Sequence, residues 1–217
     1  MNNTADVRRA MVNGQVRVND VTDYRIQNAM LAVERESFVP KSQRAAAYSD
    51  IDVPVAEGRF LLKPRDLAKM LQALAVSPSD LVLDIATATG YSATVLSMLA
   101  ETVVVLEENV ELAEKAEKAI ELADADNVAV IKGKFCVGLP DQGPFNAIFV
   151  GAAVEKTPQA WLKQLADGGR LVVIERSGVS GHVVLYTRSG GIIGSRVIFD
   201  ALAPYLPGFE PTREFEF

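Results

Sequence analysis

Two carboxylates separated by a turn of small residues are the groups best placed in this sequence to do chemistry. Asp84 lies near the end of the apolar run Leu81–Ile85 and is followed by Ala86-Thr87-Ala88-Thr89-Gly90-Tyr91. Small side chains let main chain approach a ligand closely, and the start of the next helix offers unpaired N–H groups. Asp84 could there accept a hydrogen bond from a ligand's amino group. Glu107 ends the next apolar run, 17 residues after Gly90, where a carboxylate can take both hydroxyls of a ribose. Each feature has a plain structural alternative, a tight turn with no ligand and a solvated strand-end acid. Together, at this spacing, they favour a ribose-bearing ligand, and these two features alone leave NAD open.

The absences narrow the reaction. His182 is the only histidine and Cys136 the only cysteine, too few for a Cys/His zinc site or a Ser-His-Asp triad, so no metal is expected. Cys136 reads as a small buried hydrophobe and His182 as structural. A formal charge of −6, with no cluster of Lys and Arg, argues against nucleic acid as a partner. The N-terminal residues lack the apolar core of a signal peptide, and no apolar run approaches the roughly 20 residues of a membrane span. A cytoplasmic protein is expected.

The elements that must position these residues follow from hydrophobic spacing. Residues 5–12 and 23–33 have helical periodicity, the second with Thr22 as candidate N-cap. Asn13-Gly14, Val39-Pro40 and Glu57-Gly58 read as turns. Residues 1–60 are thus expected to form a helical segment packed on a core spanning 61–217. Pro64 suits the first turn of a helix through Leu74. Strands are expected at Leu81–Ile85, 102–106, 127–131, 145–150 and 170–174. Helices fall between them at 91–99, from an Asn109 N-cap to Ala123, and at 158–165, the last ended by Gly168-Gly169. On the second of these, Glu111 with Lys115 and Glu114 with Lys118 sit at i,i+4 spacing. Strands apolar throughout and alternating with helices belong in a parallel sheet covered on both faces, a doubly wound α/β fold. Residues 183–188 and 192–199, flanking Ser189-Gly190-Gly191, close it with an antiparallel hairpin. Tyr205, Phe209, Phe215 and Phe217 are expected to dock the tail on the body.

The sequence also resembles the protein-L-isoaspartate O-methyltransferases, a subfamily of class I S-adenosylmethionine-dependent methyltransferases with a Rossmann-like fold of this kind. Thr89-Gly90-Tyr91 is similar to the end of the family's acid-x-Gly-x-Gly-x-Gly-Tyr motif. Pro144-Phe145-Asn146-Ala147-Ile148, Gly151-Ala152-Ala153 and Gly168-Gly169-Arg170-Leu171-Val172 match its later motifs. Upstream, Gly14-Gln15-Val16-Arg17, Arg35-Glu36-Ser37-Phe38-Val39-Pro40 and Ala47-Tyr48 resemble its N-terminal segment, so the likeness runs over about residues 8–175. It implies S-adenosylmethionine as cofactor, S-adenosylhomocysteine as product and a carboxylate on damaged protein or peptide as acceptor. The implied cofactor residues are Asp84, Ala86, Thr87, Ala88, Gly90, Tyr91, Glu107, Gly133 and Lys134.

The departures fall on the working positions. Ala86 and Ala88 stand where the family has glycine, Lys134 where it has an acid beside adenine, and Asn146 where it has an acid. The family's Thr-Ile-Ser-x-Pro substrate loop is here Phe60-Leu61-Leu62-Lys63-Pro64, with Leu62 at the serine position. Leu61, Leu62 and Lys63 are therefore the substrate-loop candidates, although Phe60, Leu61 and Leu62 could equally be core. No catalytic base can be assigned. An isoaspartyl carboxylate is ionised near neutral pH and needs none, so methyl transfer would depend on positioning and desolvation. The competing expectation is a catalytically degenerate member that keeps the fold as a binding or regulatory domain.

Overall fold

The computed structural model describes residues 4–211. Helices α1 (Thr4–Met11) and α2 (Tyr24–Ala32) open the chain, joined by a π-helical stretch, Val12–Val16, and a 3-10 turn, Arg17–Asn19. Asn13-Gly14 therefore continues helical backbone instead of breaking it. The reversal comes at Asp20, which takes a left-handed φ of 62°. Asp23, not Thr22, caps α2 by accepting from the Arg25 amide, while the Thr22 amide is used by Gln72 at 2.6 Å. The helix thus starts one residue later than the spacing implies, with the Asp23 carboxylate as its cap acceptor. Two more 3-10 turns, Arg35–Phe38 and Lys41–Ala46, complete the segment.

Glu57-Gly58 is the tip of a hairpin, β1 (Val53–Ala56) against β2 (Arg59–Leu61), that forms a separate two-stranded sheet. Helix α3 (Pro64–Leu74) follows, with Pro64 in its first turn. The main sheet is built from β3 (Leu81–Ile85), β4 (Thr102–Glu107), β5 (Val128–Lys132), β6 (Phe145–Val154), β7 (Leu165–Ser177), β8 (Ser180–Ser189) and β9 (Ile192–Asp200). Its order is β5-β4-β3-β6-β7-β8-β9, parallel from β5 through β7 and antiparallel for the last two pairings. Gly190 and Gly191 both take positive φ in the β8–β9 turn, as a two-residue hairpin turn of matching twist requires. This is the doubly wound sheet with an antiparallel end that the apolar runs imply.

Helices α4 (Tyr91–Ser97), α5 (Val110–Leu122) and α6 (Gln159–Lys163) cover the sheet. Alternate strand residues divide between two cores. Val82, Val103, Val105 and Phe149 face α3, α4, α5 and the N-terminal helices, whereas Leu83, Ile85, Leu106 and Ile148 face Trp161, Phe135 and Leu206. Strand order reverses between β3 and β6, and the crevice beyond their carboxyl ends is where such folds place ligands.

Three further local expectations are corrected. α6 stops at Lys163, and Gly168-Gly169 lie inside β7, where a Cβ on Gly169 would meet the Ala166 and Phe145 carbonyls at 2.8 and 2.9 Å. Close strand packing, not a helix end, selects that glycine. Glu114 pairs with Lys132 on the neighbouring strand at 3.5 Å, not with Lys118. Cys136 is exposed, because the loop after β5 buries Phe135 and turns the next side chain outward. Phe215 and Phe217 lie outside the described residues. Of the other tail aromatics, Phe209 packs on Trp161 with ring centroids 5.4 Å apart, and the Tyr205 hydroxyl donates to the Arg176 carbonyl.

Candidate functional site

The turn after β3 brings the sequence candidates together at the switch point. Ala86, Ala88 and Gly90 have φ of 64°, 57° and 95°, so the two alanines occupy left-handed backbone that favours glycine. Each carries strain of roughly 1–2 kcal/mol, held by the Ala86 amide donating to the Leu106 carbonyl and the Gly90 amide to Thr87. A Cβ on Gly90 would meet Ile120 at 3.1 Å, so α4 and α5 pack tightly there. Gly151, in β6 just beyond its pairing with β3, passes so near the turn that a Cβ would sit 3.1 Å from the Ala86 carbonyl oxygen.

Asp84 lies beneath this turn and is fully buried. The Ser92 hydroxyl donates to its Oδ2 at 2.6 Å, while Oδ1 has no hydrogen-bond partner among the described residues. Burial pushes its carboxyl up to about 7, against the lowering effects of the Ser92 and Thr87 hydroxyls. An orphaned, partly protonated carboxyl oxygen at a strand end is the kind of group a ligand amine would satisfy.

Glu107 is the second anchor, and its environment is the decisive feature of the site. Arg59, from β2, donates Nη1 to Oε1 at 2.6 Å and Nη2 to Oε2 at 2.7 Å. The Asn109 amide donates to Oε1 at 3.0 Å and the Ala88 amide to Oε2 at 3.2 Å. Both partners of the ion pair are buried, and the Arg59 guanidinium rests 5.3 Å from the centroid of the Phe135 ring. A carboxylate has about four acceptor positions, and all are taken from within the chain. The void beside the turn, lined by Arg35, Phe60, Leu62, Ala86, Tyr91 and Gly151 among others, measures only about 10 Å³, roughly one water's worth. Asp84 suits a nucleoside cofactor, but the closed Glu107 site does not admit its ribose while Arg59 is in place.

The remaining candidates surround this centre. Gly133 follows β5 with its amide on the Glu107 carbonyl, and a Cβ there would meet Leu106 at 3.0 Å. Lys134 pairs with Glu108 at 2.5 Å. Thr87 shares a hydrogen bond with Ser92, and Tyr91 is buried edge-on to Phe38 and beside the Arg35 guanidinium. Leu61 and Leu62 are buried, so the loop before Pro64 turns apolar side chains inward. The Lys63 amide is fixed by Asp52 at 2.9 Å. Asn146 accepts from the Leu81 amide at the opposite end of the strand, away from the turn.

The N-terminal segment holds both working loops. Arg35 is fully buried and donates Nε to the Ala47 carbonyl and Nη2 to that of Leu62, with its guanidinium 4.7 Å above the Tyr91 ring. Thr89 donates its hydroxyl to the Phe38 carbonyl at 2.5 Å. A larger groove, about 870 Å³, runs along α4 and α5 against residues 32–40 and reaches this region at Phe38, Val55 and Thr89. His182 pairs with Asp200 at 2.8 Å. Arg59 and Ser92 are the site residues that sequence reasoning missed. An arginine beside a turn glycine reads as solvated, whereas Ser92 was accessible from its place in the first turn of the helix that the small-residue turn opens. Among the described residues no group of acids, His or Cys could hold a metal, and no helix is long and apolar enough to cross a membrane.

Comparison with known proteins follows the same lines. The family model described as Protein-L-isoaspartate(D-aspartate) O-methyltransferase (PCMT) matches residues 7–198. A protein-L-isoaspartate O-methyltransferase of Koribacter versatilis is 40% identical over 166 residues, 76% of this chain and 75% of its own. One from Roseiflexus sp. is 38% identical over 187 residues, 86% and 85%. The fold is shared with a Plasmodium falciparum beta-aspartate methyltransferase (PCMT) solved with S-adenosyl-L-homocysteine, at a TM-score of 0.80 and 21% identity over 95% of this chain and 99% of that one. A second protein-L-isoaspartate O-methyltransferase structure superposes at a TM-score of 0.82 and 24% identity, over 93% of this chain and 66% of the other. With a family match that includes the N-terminal segment fastened to the strand-end turn, this chain belongs to the protein-L-isoaspartate O-methyltransferase family.

Proposed function

We propose that the chain is an S-adenosylmethionine-dependent O-methyltransferase whose acceptor is a carboxylate on isoaspartyl-damaged protein or a closely related peptide. The observation that carries this reading is the family match over residues 7–198. It includes the segment whose Arg35 and Phe38 grip the Leu62 loop and the Thr89 turn. The chain's own residues would serve such a transfer by placement. Asp84 offers an unpaired oxygen for an amine, the 86–90 turn brings main chain close, and Phe60, Leu61 and Leu62 keep water from the reacting groups. An ionised acceptor carboxylate needs no proton removed, in keeping with a site that holds no histidine.

Leu62 replaces the hydroxyl expected at its position with an isobutyl group, so the acceptor should be held by apolar contact more than by a hydrogen bond. The working environment is taken to be cytoplasmic, with protein or peptide and not nucleic acid as partner. Incubation of an isoaspartyl peptide with methyl-labelled donor should yield a base-labile methyl ester. No label above background, from protein proven to bind the donor, would exclude this acceptor.

A further inference from the structure

We infer that Arg59 is a resident occupant of the ribose-binding carboxylate, and that S-adenosylmethionine or its product enters only by displacing it. The inference rests on the methyl-donor reading above and names a contact that regulates it. Arg59 makes a two-point, fork-on-fork contact with Glu107, the geometry in which guanidinium and carboxylate match best. The Asn109 and Ala88 amides fill the other acceptor positions, so the carboxylate has nothing left to offer vicinal hydroxyls. The flat guanidinium also lies over Phe135, in the loop after β5 where the cofactor's base was expected beside Gly133 and Lys134. One side chain therefore covers both the sugar and the base side of the site.

The element bearing Arg59 is not hydrogen-bonded into the main sheet, although Val53, Val55 and Leu61 bury their side chains in the common core. β1 and β2 pair only with each other and form no ladder with the seven-stranded sheet. The hairpin tip at Gly58 has φ of 64° and packs toward Pro207, which a Cβ there would approach to 3.2 Å. The pairing is irregular between Pro54 and Ala56, and β2 is only three residues long. Withdrawing Arg59 thus needs a side-chain swing or a small hairpin shift, without loss of any main-sheet hydrogen bond.

The contact is selective as well as obstructive. Leaving a buried Glu107 unpaired is unfavourable, so only a ligand that replaces the two guanidinium bonds with its own donors can hold the site open. A ribose with both hydroxyls free does so, whereas a ligand lacking either one does not.

The test is calorimetric titration of wild type, Arg59→Gln and Arg59→Lys with S-adenosylhomocysteine. Gln shortens the reach and removes the charge, and Lys keeps the charge without the fork, so one variant remains useful if the other fails to fold. Weak binding by wild type, tightened at least tenfold in Arg59→Gln and to a lesser degree in Arg59→Lys, is the expected result. Equal affinities, or weaker binding by the variants, would overturn the displacement model while leaving the methyl-donor reading intact. No binding by any of the folded proteins at millimolar ligand would remove the methyl-donor reading itself, and the model with it.

Discussion

Ala86 and Ala88 show how a departure from a glycine motif can be nearly neutral for the fold and still matter for the ligand. Left-handed backbone costs each alanine roughly 1–2 kcal/mol. Against this stand the burial of each methyl, about 0.8 kcal/mol, and the smaller entropy of an unfolded chain with Ala in place of Gly, about 0.4–1 kcal/mol. The terms nearly cancel, so Ala86→Gly and Ala88→Gly should each shift unfolding free energy by less than about 1 kcal/mol, as read from urea midpoints. A gain much beyond that would mean the strain is larger than the backbone angles imply. Asp84 makes a sharper prediction. Its folded-state value of about 7 lies above the roughly 3.9 of an unfolded aspartate. Between those values the native state holds a proton that the unfolded chain has released, so stability falls as pH rises from about 4 to about 7 and then levels. Asp84→Asn lacks this linkage. Relative to the variant, wild type should therefore lose stability between pH 5 and pH 8, by an amount on the order of a few kcal/mol. Parallel pH profiles for the two proteins would show that Asp84 remains charged when buried.

The loops around the site are fastened by side chains from other elements, and Arg35 is the main fastener. Its Nε and Nη2 satisfy the Ala47 and Leu62 carbonyls in a fully buried position, and burial pushes the guanidinium below its ordinary range. Arg35→Met keeps much of the volume but leaves both carbonyls without donors, at roughly 1–3 kcal/mol each, offset in part by no longer burying a charge. A net loss of about 2–4 kcal/mol is expected, with faster hydrogen exchange at the Lys63 amide, which Asp52 otherwise holds. Unchanged exchange at Lys63 would mean that the loop is held by its apolar contacts alone. These elements also mark how far the sequence could be read. The parallel strands were legible because each is a continuous apolar run between turn residues, and Asn109 caps α5 as its position implied. The β1–β2 hairpin was not, since three residues, Arg59-Phe60-Leu61, are too few to display a two-residue period. Arg59 itself sits 48 residues from Glu107, and no local pattern reports a partner at that distance. The positive φ of Ala86 and Ala88 was signalled only by the motif glycines they replace, because alanine itself is a poor marker of left-handed backbone.

At the scale of the molecule, the N-terminal segment and the sheet share one core. Met11, Val12, Val16, Ile26 and Met30 belong to the same buried cluster as Leu67, Leu71, Val82 and Phe149, and Gln72 of α3 binds the Thr22 and Asp23 amides and the Asp20 carbonyl. Trp161, the single tryptophan, lies in the other cluster, across the sheet, with its indole N–H on the Phe135 carbonyl at 2.6 Å. Two optical probes therefore report on opposite sides of the molecule. Trp161 fluorescence follows the α6 side, while far-UV circular dichroism is weighted toward helices α1 to α5 on the other. If the segment before β1 is an integral part of the fold, the two signals should give the same urea midpoint and slope, the mark of a two-state transition. Deletion of residues 1–52 should then abolish that transition, because it strips the apolar cover from α3 and α4 and takes Arg35 from the Leu62 loop. An earlier dichroism midpoint, with fluorescence unchanged until higher urea, would identify the segment as a separately melting cover. Cofactor access would then be governed by that melting as well as by Arg59.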